Sequence, residues 1–145
     1  MKFSFASAED EEQIKQILAA SDLPHQDISP SRLQYFLIVK DENTLTLVGV
    51  VGLEQKDDVA LLRSLAVDSA YRRQGLATQL VQKIEESARS QKVANLYLLT
   101  LTAEAFFTKR GYQIADRKSA PAALQETTEF KGLCPETAVC MKKHL

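Results

Sequence analysis

Apolar and polar positions alternate along the chain in two rhythms, one of period two and one of period near 3.6. The opening stretch "FSFA" (3–6) alternates and predicts a short first strand. Ser7 precedes an acidic run and can cap it, because its hydroxyl accepts from the amides that open a helix. Ile14, Ile17 and Leu18 then fall at helical spacing and predict a helix over 8–20. Two prolines in "DLPHQDISP" (22–30) predict a loop, followed by a short helix through Leu33. Apolar runs at 35–41, 45–55 and 59–68, separated by the turn residues 41–43 and 56–58, predict an antiparallel meander. Leu76, Ala77, Leu80, Val81, Ile84 and Ala88 form the clearest amphipathic stripe, a helix over 75–91. A strand at 95–101, a short helix at 102–110 ending at Gly111, and a strand at 112–116 follow. The tail is expected to be mostly loop with a short helix, ending in a strand around 138–143. Strands that first cluster and then alternate with helices imply an α/β fold, a mixed and mostly antiparallel sheet covered on both faces.

No apolar run approaches the roughly 20 residues that span a bilayer, and the N-terminus turns acidic before a signal-like stretch develops. The expectation is one domain over 1–145, in the cytoplasm, without a membrane partner. Charge adds a restriction. With 18 Lys and Arg against 19 Asp and Glu the net charge is −1, unlike a protein that coats nucleic acid, so any anion site must be local. Cys134 and Cys140 do not have C-x-x-C spacing, and no histidine cluster completes a metal set. They read as reduced thiols, with a soft-metal or arsenic contact as the alternative.

The local anion site has one candidate, "YRRQGLA" (71–77), between the strand ending near Val67 and the long helix. A helix N-terminus presents unpaired amides and a partial positive charge. Gly75 lets backbone approach a ligand, and Arg72 and Arg73 add cations. A solvated strand-to-helix turn is the plain alternative. Neither G-x-x-x-x-G-K-[S/T] nor G-x-G-x-x-G occurs, so the stretch is not a P-loop or a dinucleotide fingerprint.

Arg72-Arg73-Gln74-Gly75-Leu76-Ala77 matches the [Q/R]-x-x-G-x-[G/A] signature of the GNAT superfamily of acetyl-CoA-dependent acetyltransferases. The strand before it, the helix after it and the downstream "AFFTKRGY" complete the resemblance, which covers nearly the whole chain. It implies that amides of Arg73, Gln74, Gly75, Leu76 and Ala77, with Arg72 beside them, wrap the pyrophosphate of acetyl-CoA. It implies also that Leu65, Ala66 and Val67 run along the pantetheine arm, and that the fourth and fifth strands splay around the thioester. A backbone N–H near Val67 would polarise the carbonyl.

Many relatives place a tyrosine acid in F-Y-x-x-x-G-F; here that position is Phe107, which has no proton to give and is left as a cofactor contact. The asparagine frequent after the fifth strand is replaced at about Thr100. These departures and the tail resemble a subgroup of glutamate N-acetyltransferase domains and arsenic-resistance-associated N-acetyltransferases. The implied acceptor is the α-amino group of a small amino acid or analogue, whose carboxylate calls for a cation. Arg63, inside "LLRSLAV", is that cation or else one half of a structural ion pair with Glu54. It shares strand parity with Leu65 and Val67. Glu54 is a base acting through water or a solvated strand end, and Thr100 touches the acceptor or caps a turn. Lys109 and Arg110 can reach phosphates or complement their own helix end, and His25 lies in the loop where many relatives bind acceptors. Polyamine, antibiotic or protein acetylation and a non-catalytic acyl-CoA-binding module stay open, and homodimers are common in the family.

Overall fold

A computed structural model describes all residues, Met1–Leu145. Seven strands hydrogen-bond in the order β1-β2-β3-β4-β5-β7-β6. They are β1 (Lys2–Phe5), β2 (Phe36–Lys40), β3 (Leu47–Lys56), β4 (Val59–Val67), β5 (Asn95–Thr100), β6 (Gln113–Ile114) and β7 (Val139–His144). The helices are α1 (Glu11–Ala20), α2 (Pro30–Leu33), α3 (Leu76–Ser90), α4 (Glu104–Thr108) and α5 (Ala122–Gln125). No helix is long and apolar enough to cross a membrane. The chain forms two compact units, residues 1–54 with 63–87 and residues 55–62 with 88–145.

In the first unit β1 pairs with β2, and β2 with β3, both antiparallel. Ile14 and Leu18 of α1, Leu33 of α2, Phe36, Ile38, Val50 and Ala66 make one buried cluster. The apolar spacing that predicted α1 is therefore the stripe that drives it onto the sheet. Phe36 stands opposite Gly52 in the ladder, and a β-carbon at Gly52 would lie 2.6 Å from its ring. Glycine there makes room for the aromatic that later matters to the site.

The second unit takes in the end of β3 and the start of β4. The start of β4 pairs in parallel with β5 from Val59↔Asn95 to Leu61↔Tyr97, where the register stops. β7 runs antiparallel to all of β5, and β6 pairs outside it. Val59, Leu61, Tyr97, Leu124, Phe130 and Cys140 form its buried cluster. Gly111 takes φ +92°, and the Tyr112 N–H returns to the Phe107 carbonyl at 3.1 Å, closing α4 as expected of a glycine C-cap. The Arg117 guanidinium gathers the tail by donating to the carbonyls of Pro135 at 2.7 Å and Phe130 at 2.9 Å.

Three boundaries differ from the sequence reading. The first helix opens as a 3-10 turn, Ala8–Asp10, because the Asp10 carboxylate turns back to accept from the Ser7 N–H at 2.9 Å. The third strand starts at Leu47, not 45, because Leu45 sits in the hairpin at φ +61° with its N–H bonded to Asp41. The final strand slots between β5 and β6, a placement that alternation along one strand cannot encode. Cys134 and Cys140 are both buried and form no disulfide, and burial pushes the Cys140 thiol up.

Candidate functional site

The turn after β4 is held by several anchoring bonds. The Asp68 N–H bonds the Val48 carbonyl at 2.8 Å, and its carboxylate accepts from the Ala70 N–H at 2.9 Å. The Tyr71 hydroxyl donates to Asp41 Oδ2 at 2.7 Å and ties the loop to the β2–β3 turn. That bond draws the Asp41 carboxyl below its ordinary value and lifts the Tyr71 phenol. Arg72 Nε donates to the Val67 carbonyl at 3.1 Å, anchoring the guanidinium at the strand end. Arg73 and Gly75 both adopt positive φ, +65° and +77°, and residues 72–75 are exposed. No heavy atom lies within 4 Å of a β-carbon built on Gly75, so the space in front of it is open.

The first intrahelical bond runs from the Gln79 N–H to the Gly75 carbonyl at 3.0 Å. The amides of Leu76 and Ala77 thus precede any intrahelical acceptor, and no acid occupies the first turn of α3. Open space, amides ahead of the first intrahelical bond, a 15-residue helix and two arginines fit a diphosphate. Val67, Asp68, Ser69 and Arg72 also line a cleft of about 270 Å³ with Gln13 and Gln16 of α1.

The structure brings Arg63 and Glu54 together. Arg63 Nη1 lies 2.6 Å from Glu54 Oε1, and its fork meets both Asp27 oxygens, at 2.5 and 2.7 Å. Its Nε donates to the Ser64 hydroxyl at 3.0 Å, and its guanidinium sits 6.0 Å from the Phe36 ring centroid. The Arg63 side chain is fully buried. Arg32 of α2 joins the same two carboxylates, at 3.1 Å to Glu54 and 3.4 Å to Asp27, from a side chain that is 38% exposed. Sequence reasoning named Arg63 and Glu54 but not Asp27, Arg32 or Ser64. The one available signal was the cost of an arginine in an apolar strand, which demands more than one carboxylate oxygen.

Strand parity fails at this point. Ser64, buried in mid-strand, has φ +61°, which interrupts the pleat. Ala66 belongs to the Phe36 cluster and Arg63 lies over the same ring, so these two share a face across three residues. Leu65 is half-buried and Val67 buried.

In the second unit, Thr100 Oγ1 accepts from the Ala103 N–H at 2.9 Å and so caps the turn into α4. Phe107 is buried, edge-on to Phe106 at 5.1 Å and Tyr112 at 5.3 Å. Arg110 lies 3.7 Å over the Phe106 ring and donates to its carbonyl at 2.9 Å, as a helix-end cation would. Lys109 is exposed, and His25 Nδ1 lies 3.1 Å from the Leu23 carbonyl.

Residues 4–112 match the family model for the acetyltransferase (GNAT) family. An amino-acid acetyltransferase of Pseudomonas fluorescens (strain Pf0-1) is 26% identical over 98 residues, 68% of this chain and 23% of that protein. One from Pseudomonas aeruginosa (strain LESB58) is 26% identical over 106 residues, 73% of this chain and 24% of its own. The chain thus spans about a quarter of the length of these curated relatives. Among solved structures, N-acetylglutamate synthase from Neisseria gonorrhoeae, complexed with coenzyme A and N-acetyl-glutamate, superposes with TM-score 0.83 at 19% identity. It covers 99% of this chain and 35% of that one. A Mycobacterium tuberculosis protein solved with CoA gives 0.80 at 18% identity, covering 100% and 99%. At these identities the two structures speak to the fold.

Proposed function

The chain belongs to the acetyltransferase (GNAT) family, and on that premise we propose that it transfers the acetyl group of acetyl-CoA to the amino group of a small amino acid or amino-acid analogue. The observation that carries this reading is the open cradle around Gly75, matched to the coenzyme diphosphate by the amides ahead of the first intrahelical bond and by Arg72 and Arg73. Acetyl-CoA is the co-substrate of this family. Relatives named amino-acid acetyltransferase and a fold neighbour bound to N-acetyl-glutamate support an amino-acid acceptor.

The chemistry asks for three things of the chain. Amides of Arg73 to Ala77 and the N-terminus of α3 hold the diphosphate, and Leu65 to Val67 offer backbone to the pantetheine arm. An N–H near Val67 stabilises the oxyanion when the amine attacks the thioester carbon. The ammonium of the acceptor gives up a proton before attack, and Glu54 receives it through water. Phe107 donates no proton, so the departing thiolate takes, through solvent, the second proton that the nitrogen sheds as the amide forms. Positioning then supplies most of the acceleration. Thr100 retains a proposed contact with the acceptor or its water, although its oxygen already accepts from Ala103.

The test is thiol release from acetyl-CoA against the L-amino acids, amino-acid analogues including organoarsenical ones, and polyamines. Turnover confined to amino acids and analogues is expected. Polyamine turnover alone would replace the acceptor class, and acetyl-CoA binding without any thiol release would make the chain a binding module.

A further inference from the structure

The cation expected to recognise an acceptor carboxylate was Arg63, yet its environment is that of a structural brace. Its side chain is fully buried, its fork is closed on Asp27, and Glu54 and the Ser64 hydroxyl complete the set. Withdrawing it for a substrate would leave two carboxylates, each about 10% exposed, without that cation. Arg32 differs in each respect. It reaches the same carboxylates by longer contacts, 3.1 and 3.4 Å, from a side chain 38% exposed. With its cation end partly exposed to water, this pair exchanges partners at smaller cost than the fully buried Arg63 contacts would.

The four charges sum to zero: Arg32 and Arg63 against Asp27 and Glu54. A free amino acid is a zwitterion of the same kind. If its carboxylate takes Arg32, its ammonium can take the place that Arg32 vacates beside Glu54 and Asp27. Every charge stays paired and no net charge is moved into the cluster. The geometry below reinforces the arrangement. Gly52 admits the Phe36 ring, that ring underlies Arg63, and the positive φ of Ser64 sets the hydroxyl that holds Arg63 Nε. A buried non-glycine residue with positive φ in mid-strand costs free energy and is kept where a site needs it.

We propose that Arg32 is the specificity residue of the acceptor site: it exchanges its contacts with Glu54 and Asp27 for the α-carboxylate of the incoming amino acid, while Arg63 stays fixed as the brace. This rests on the amino-acid reading above. It adds a role for Arg32 that neither the family signature nor the relatives assign.

The experiment compares wild type, Arg32→Gln and Arg32→Lys with the amino acid or amino-acid analogue that wild type acetylates best in the thiol-release screen, and with the α-carboxamide of the same compound. Removing a charge-assisted contact to the carboxylate should raise the KM for the acid by about 10- to 100-fold in Arg32→Gln. KM for the carboxamide and for acetyl-CoA should stay within about twofold, since neither presents the carboxylate. Arg32→Lys should recover part of the loss for the acid only. Thermal melting of both variants should stay close to wild type, as expected of a partly exposed side chain. Equal losses for acid and carboxamide, or no loss for the acid, overturn the assignment while leaving the acetyltransferase reading intact. A wild type that acetylates neither an amino acid nor an amino-acid analogue overturns the reading and the assignment together.

Discussion

At the scale of single residues, Gly75 and Arg63 separate two kinds of necessity. Gly75 is needed for its backbone, since φ +77° suits glycine while the space beyond it is open. Gly75→Ala should therefore cost about 1–2 kcal/mol of stability from the left-handed backbone alone. Gly75→Glu adds a negative charge at the proposed diphosphate position and should weaken acetyl-CoA binding by about 100-fold or more, as Coulomb repulsion in a partly desolvated site requires. Calorimetry measures the second and urea denaturation the first. Arg63 is needed for its charge. Arg63→Ala would leave the Asp27 and Glu54 carboxylates facing each other, with only Arg32 for both, and should destabilise the fold by about 3 kcal/mol. A denaturation midpoint equal to wild type would show that Arg63 braces nothing.

Between residues and the whole lie the elements, most of which were legible from periodicity. α3 and β5 were readable because burial on one face or both leaves an apolar pattern in the chain. The turn into α3 was readable for a different reason: a glycine between two arginines and a helix is an unusual local composition. Two things were not legible. The positive φ of Ser64 carries no glycine to announce it, so the parity argument ran straight through the irregularity and put Arg63 with Leu65 and Val67. Asp27 and Arg32 come from a proline-bearing loop and a four-residue helix, and meet Glu54 only through tertiary folding. The α1 entry was read as a Ser7 cap and is a reciprocal one, in which Asp10 also pairs with Lys40 at 2.9 Å. Burial pushes the Asp10 carboxyl up, but the Ser7 amide and Lys40 pull it further down, to a net value below the ordinary one. A depressed carboxyl contributes stability above its unfolded pKa, about 3.9, and loses it as pH falls through the folded value. Asp10→Asn should thus cost about 1 kcal/mol at neutral pH. The difference from wild type should shrink as pH falls below about 4, measured by urea denaturation at each pH.

For the molecule as a whole, charge decides how the coenzyme is found. The net charge of −1 gives no net long-range attraction for an anion, so on the proposed reading the affinity for acetyl-CoA arises within the cradle. Two sources act there with different responses to salt. On the proposed reading, the amides of the Gly75 turn and the start of α3 are fixed dipoles that would meet the diphosphate directly and be screened little. Arg72 and Arg73 are exposed point charges, and screening beyond about 10 Å at 0.1 M salt reduces their pull. Acetyl-CoA affinity should therefore fall only about 3- to 10-fold between roughly 0.05 and 0.5 M salt, the range in which the Debye length drops below a typical side-chain reach. Replacing both arginines by glutamine should lower the affinity at low salt and flatten the dependence, leaving the amide contribution. Titration by calorimetry across that range checks it. A slope that survives the double substitution would mean that charges elsewhere on the chain draw the coenzyme in, and that the cradle holds what a wider field has already gathered.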